Sequence, residues 1–389
     1  MTSRDEDRLA HNDLRRLAPY ISRERKKAFS EECRPDSDWD EQCFAAKWFD
    51  MTVYNGRVPA PCEVAGSEWR DYFPEPHFVP YEDYNSYEEA VDAVLAHIRE
   101  TALGGDVNAQ RFLALVYKIG FLVDASPEEA DQWFRRAAEQ GDIDSMVDLG
   151  NCYASAFGTE RNYSQAACWY RKAAEQDSRE AQYRLALLYA GGADIGLSPE
   201  EALSYLRRSA EQEYAPAEYY WGLCHAEGIG VEWNETEAVR WFRRAADHGD
   251  SEARLRLGLC YGDGTGVRRD PSVSVKWLKS AVDGGSVEAM YHLGLRYLTG
   301  DGVEKNGWRA TWLFRSAAEA GDAQSQYFLG ACYRSGAGIA KDRFRAAQWL
   351  WKAYMQGHPE AENALGELLD MSAGSEYECA NVCSEYEFF

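Results

Sequence analysis

Gly262, Gly264 and Gly266 in the stretch GDGTGV could cradle a phosphate. A dinucleotide-binding loop needs a strand before its glycines, a helix opening on them and an acid about 20 residues later. Helical patterns flank this stretch on both sides, and similar glycines recur at Gly300 and Gly302 and at Gly336 and Gly338, so these are connecting loops. The chain contains no HExxH, GxSxG or GK[ST] arrangement. Its histidines, His11, His77, His97, His225, His248, His292 and His358, are scattered, and no acidic pair stands apart as an acid–base couple. Cys379 and Cys383 are four apart in CANVC. No second pair or neighbouring histidine completes a zinc site there, so they read as incidental. The sequence therefore assigns no catalytic residue, cofactor or metal.

Residue types recur instead with a fixed period. WFRRAAEQGD at 133–142 returns as WFRRAADHGD at 241–250. Gly141, Asp177, Glu213, Gly249, Gly285, Gly321 and Gly357 lie 36 residues apart. The same register holds Leu149, Leu185, Leu257, Leu293 and Leu329, the glycines Gly150, Gly258, Gly294 and Gly330 after them, and Tyr153, Tyr189, Tyr261, Tyr297 and Tyr333. A further column reads Trp133, Trp169, Tyr205, Trp241, Trp277, Leu313 and Trp349, where the sixth unit moves its tryptophan to Trp312.

Each unit reads as two helices. The first carries apolar residues at helical spacing, with a mid-helix glycine that predicts close helix approach. The second begins at Pro127, Pro199 or an equivalent position, where proline suits a first turn, and stops at glycine. One hairpin cannot bury both its faces, so neighbours must stack. Cys152, Cys224, Cys260 and Cys332 share one column and are expected as small buried hydrophobes with reduced thiols. Arg135, Arg171, Arg207, Arg243, Lys279 and Arg315 form a basic ridge, which salt links to nearby acids and helix solvation explain.

The pattern A-x-x-x-L-G-x-x-Y, glycine loop, A-x-x-W-x-x-x-A-A-x-x-G resembles the Sel-one-like repeats, relatives of the tetratricopeptide repeat. Ala253, Leu257, Gly258, Tyr261, Gly264, Gly266 and Trp277 carry it in one unit, and about residues 105–366 follow it. The resemblance implies an all-α, right-handed α/α superhelical solenoid of 36-residue hairpins, used as a non-enzymatic interaction scaffold. It also implies a concave groove lined by first-helix side chains outside the packing columns. Those positions hold Tyr183, Tyr219, Tyr291 and Tyr327, followed by Arg184, Tyr220, Arg256, His292 and Phe328. Tyrosine offers a rigid apolar area with a polar tip, so these nine are the expected partner-binding residues. The competing reading is that the same stripes are inter-helix core.

Residues 87–371 are thus expected to form the array, with 87–104 as a capping helix. Residues 1–86 form a non-repeat segment rich in proline and aromatics, and 372–389 an acidic, flexible tail, expected as a disordered end in preference to one whose Tyr386, Phe388 and Phe389 dock on a surface. The formal charge of −23 repels nucleic acid and anionic lipid and favours a basic protein or peptide. No apolar run approaches the roughly 18–20 residues of a membrane helix, and the charged start has no signal-peptide core, so a cytoplasmic protein is expected. An inhibitor or immunity protein for a cognate toxin fits this reading. An adaptor linking two partners is the alternative, and an enzyme using the N-terminal segment a remote one.

Overall fold

The computed structural model describes residues 87–120 and 123–370, and every regular element among them is α-helical. The expectations for residues 1–86 and 372–389, including Cys379 and Cys383, lie outside the described residues. The chain divides into two units, Met1–Tyr214 and Ala215–Phe389. In the first, α1 (Tyr87–Leu103) precedes three hairpins: α2 (Val107–Ile119) with α3 (Pro127–Glu139), α4 (Ile143–Ser155) with α5 (Tyr163–Glu175), and α6 (Arg179–Ala190) with α7 (Pro199–Glu211). In the second, α8 (Ala215–Glu227) pairs with α9 (Glu235–Asp247), α10 (Ser251–Asp263) with α11 (Pro271–Asp283), α12 (Val287–Thr299) with α13 (Gly307–Glu319), and α14 (Ala323–Ser335) with α15 (Arg343–Met355). Helix α16 (Ala361–Asp370) follows them.

Two short-side-chain columns set the helix starts. Asn162, Ser198, Asn234, Asp270, Asn306 and Asp342 each accept a hydrogen bond from a first-turn backbone N–H of a second helix. Asp106, Asp142, Ser178, Asp250, Ser286 and Asp322 do the same for first helices. Such a cap satisfies a donor the helix cannot. The loops close alike: the backbone N–H of Asn162, Asn234, Asp270 and Asn306 reaches the carbonyl of Tyr153, His225, Tyr261 and Tyr297 at 2.8–2.9 Å.

The mid-helix glycines admit a large side chain from the second helix, as their regular use predicts. A Cβ on Gly294 would lie 2.6 Å from the Phe314 ring, and one on Gly330 2.7 Å from Leu350. The fully buried second-helix column is therefore the one after the tryptophans: Phe134, Tyr170, Leu206, Phe242, Leu278, Phe314 and Leu350. The indoles sit at its margin under cations, with Lys172 Nζ 3.8 Å from the Trp169 ring centre and the Arg136 and Lys352 head groups 4.4 Å from Trp133 and Trp349. Trp312 is not a displaced packing tryptophan. Leu313 fills the column and Trp312 points outward.

The cysteine column behaves as expected: Cys152, Cys224 and Cys332 are buried and Cys260 half-buried, all as free thiols. Burial pushes the Cys152 thiol up to about 12 and that of Cys260 to about 11. The basic ridge has partners the salt-link reading did not name. Arg135 donates to the Tyr153 hydroxyl at 2.7 Å and Arg315 to that of Tyr333 at 3.1 Å, and Arg243 pairs likewise with Tyr261. Arg135 and Arg207 also meet Asp131 and Glu211 within their own helices.

Candidate partner-binding surface

The nine expected contact residues fall in both units and differ in exposure. In the first unit, Tyr183 of α6 is buried, its ring edge-on to Tyr214 at 5.3 Å. Arg184 beside it donates to Glu180 one turn earlier at 3.1 Å. In the second unit, Tyr219 is buried and Tyr220 is 0 % exposed. Tyr219 packs 5.3 Å from the Tyr220 ring and 5.9 Å from Phe242. Burial pushes the Tyr219 phenol well above its usual range, while the Arg256 guanidinium, which donates a hydrogen bond to it, pulls the other way. At these three tyrosines the helix-packing reading describes the side chains.

Helices α12 and α14 bring the remaining four together. Tyr291 lies 4.9 Å from His292 and 5.5 Å from Phe328, and Tyr327 lies 5.4 Å from Phe328. Phe328 stacks on the buried Phe314 at 5.5 Å, so the group is anchored on the core while each of its four rings stays half-buried. His358 extends it, stacking on Tyr327 at 4.4 Å with the planes 12° apart. Its position follows the last repeat glycine, Gly357, so only the 36-residue register could have pointed to it.

Carboxylates surround the rings. Glu288 lies 3.9 Å from His292, and Glu360 hydrogen-bonds the Tyr327 hydroxyl. Burial holds the His292 imidazole below its ordinary value despite Glu288. Burial, then Glu360, raises the Tyr327 phenol, so both rings stay neutral near pH 7. Half-buried aromatic area edged with negative charge suits apolar and cationic side chains of another chain. Among the described residues no three His, Cys, Asp or Glu side chains converge as metal ligands, and no helix is long and apolar enough to cross a membrane.

Tandem α-hairpins in one 36-residue register define an all-α repeat protein of the interaction-scaffold class. The Sel1 repeat model matches seven consecutive segments: 107–142, 143–178, 179–214, 215–250, 251–286, 287–322 and 323–358. The chain belongs to the Sel1 repeat family. Among solved structures it is similar to a protective antigen of uropathogenic Escherichia coli displaying an SLR fold, at 31% identity and a TM-score of 0.64. That match covers 71% of this chain and 59% of the antigen, so the chain spans less than two thirds of that relative's length. It is also similar to a Sel1 repeat protein from Oxalobacter formigenes, at 33% identity and a TM-score of 0.58, covering 74% of this chain and 83% of that one. No curated protein matches the sequence.

Proposed function

We propose that this protein is a non-enzymatic scaffold that binds a basic protein or peptide through the cluster formed by Tyr291, His292, Tyr327 and Phe328. The observation that carries this reading is the half-buried ring cluster beside Glu288 and Glu360. Aromatic anchors supply contact area at small entropic cost, while the net charge of −23 accelerates encounter with a cationic partner. Arg256 stands at the same repeat position on another hairpin of the second unit, and we include it as a secondary contact; Arg184, at that position in the first unit, is proposed as a contact of its own unit. Inhibition of a cognate toxin is the narrowest form of this reading, and action in the cytoplasm goes with it.

The test is a quantitative pull-down from native-source lysate with the natural chain and a Tyr291→Ala/Tyr327→Ala variant whose helicity is verified by circular dichroism. A near-stoichiometric partner retained by the natural chain and lost by the folded variant is the expected result. The same partner held equally by both chains removes the cluster from the interface. The identity of that partner, toxin or otherwise, decides the narrower role.

A further inference from the structure

The outward face of the second helices changes character at the last two hairpins. One repeat position reads Glu128, Ser164, Glu200, Thr236 and Ser272, and then Trp308 and Phe344. A second reads Gln132, Cys168, Ser204, Arg240 and Lys276 before Trp312. A third carries arginine or lysine from Arg135 through Arg315 and then Trp351, and a fourth carries only Glu or Asp from Glu139 through Glu319 and then Met355. Trp308 is 67% exposed, Trp312 54%, Phe344 48% and Met355 66%.

These residues line up. Trp308 and Trp312 are one turn apart on α13, and Phe344, Trp351 and Met355 follow helical spacing on α15. Elsewhere in the array the same positions are solvated, so the substitution is confined to one place. Large exposed indoles in a contiguous group mark a contact surface.

A cationic pocket adjoins them. Arg315, Arg345 and Lys352, with Glu319, Tyr333, Gln348 and Trp349, line a cavity of about 290 Å³ on α13, α14 and α15, and Asp342 pairs with Arg345 at 3.5 Å. Positive charge concentrated in a chain of net charge −23 selects an acidic occupant. The surface calls for a segment that combines aromatic rings with carboxylates. Residues 371–389 have that composition: Tyr377, Tyr386, Phe388 and Phe389 alternate with Glu376, Glu378, Glu385 and Glu387, without a lysine or arginine. They follow directly on α16, the helix after α15. The 16 residues from Asp370 to Tyr386 span up to about 50 Å when extended, ample to reach both helices.

We infer that the Trp308–Trp312–Phe344–Trp351 face is a docking surface for an acidic aromatic segment, and that residues 376–389 of this same chain occupy it. The rings cover the indoles, and the glutamates face Arg315, Arg345 and Lys352. The segment thereby shields the apolar face, and a competing acidic aromatic peptide from a partner would uncover it. This surface lies on the second helices and does not depend on the first-helix cluster proposed above.

Hydroxyl-radical footprinting of the full-length chain, resolved by mass spectrometry, tests this. Trp233, 61% exposed and away from these columns, serves as the internal reference. A short tether places the segment at roughly millimolar effective concentration, so even a weak site is mostly filled and oxidation of Trp308 and Trp312 should be about threefold slower than in a Tyr386→Ser/Phe388→Ser/Phe389→Ser variant. An Arg345→Glu/Lys352→Glu variant with its C-terminal segment intact should lose the same protection. Equal oxidation in the natural and serine-substituted chains overturns the proposal. So does protection that disappears on dilution, because the occupant is then a second copy of the chain.

Discussion

Glu218 and His248 form a cross-helix pair, with Glu218 Oε2 2.7 Å from His248 Nδ1, the glutamate side chain 0% exposed and the imidazole 36%. Three other hairpins hold glutamines there: Gln140 donates to Gln110 at 2.8 Å, Gln212 to Gln182 at 3.0 Å and Gln356 to Gln326 at 2.8 Å. One hairpin has therefore exchanged a neutral amide pair for an ionisable one at a conserved geometry of the repeat, and Arg244 at 3.0 Å completes it.

Removing His248 leaves one oxygen of the buried Glu218 carboxylate without its partner while Arg244 holds the other, a loss of about 1–3 kcal/mol. His248→Ala is expected to lower the midpoint of thermal unfolding by several degrees. The double change Glu218→Gln/His248→Gln rebuilds the neighbouring hairpins' pair and should recover most of the loss. Circular dichroism melts of the three chains measure this, and an additive penalty in the double variant would contradict it.

The glycine column offers a contrast between two similar substitutions. Gly294→Ala drives a methyl to 2.6 Å from the Phe314 ring, and overpacking of that kind costs about 1–3 kcal/mol. Gly366→Ala meets nothing within 4 Å and should be neutral or stabilising, since alanine favours a helix by up to about 1 kcal/mol over glycine. Urea titrations that ranked the two alike would refute the close-approach explanation.

Glu213 sits in the left-handed region with φ 60°, where most repeats have glycine. A side chain costs roughly 1 kcal/mol there, so Glu213→Gly should raise stability by about that amount. An unchanged or lower unfolding midpoint counts against the assignment of strain.

His292 links the candidate surface to pH. Burial lowers its pKa from the ordinary 6.5, against Glu288, Asp263 and Asp322 and with Arg296. The unfolded chain thus binds the proton first as pH falls. The stability His292 contributes is complete above about 6.5 and is lost as pH drops through the lower folded value. Between pH 7 and 5 the natural chain should lose more thermal stability than His292→Gln. Parallel loss in both chains would show that burial of this imidazole has no such consequence.

Much of this architecture was legible in the sequence. A strict 36-residue register identifies the hairpins, and Leu257, Gly258 and Tyr261 in series identify a helix face, because the packing sites take large apolar side chains while the glycine site leaves room for one of them. The capping columns from Asn162 to Asp342 and from Asp106 to Asp322, and the pairing of Gln110 with Gln140, came from the structure. So did side-chain exposure. Tyr219 and Tyr291 occupy the same repeat position, yet Arg256 and Phe242 enclose the first while the second stays half-buried beside His292 and Phe328. By position Trp312 reads as the repeat tryptophan moved by one residue, whereas Leu313 fills that column and Trp312 is exposed. Periodicity determined which residues share a helix face. Whether that face is covered depends on the size and charge of side chains from neighbouring helices, and only the tertiary structure decided that.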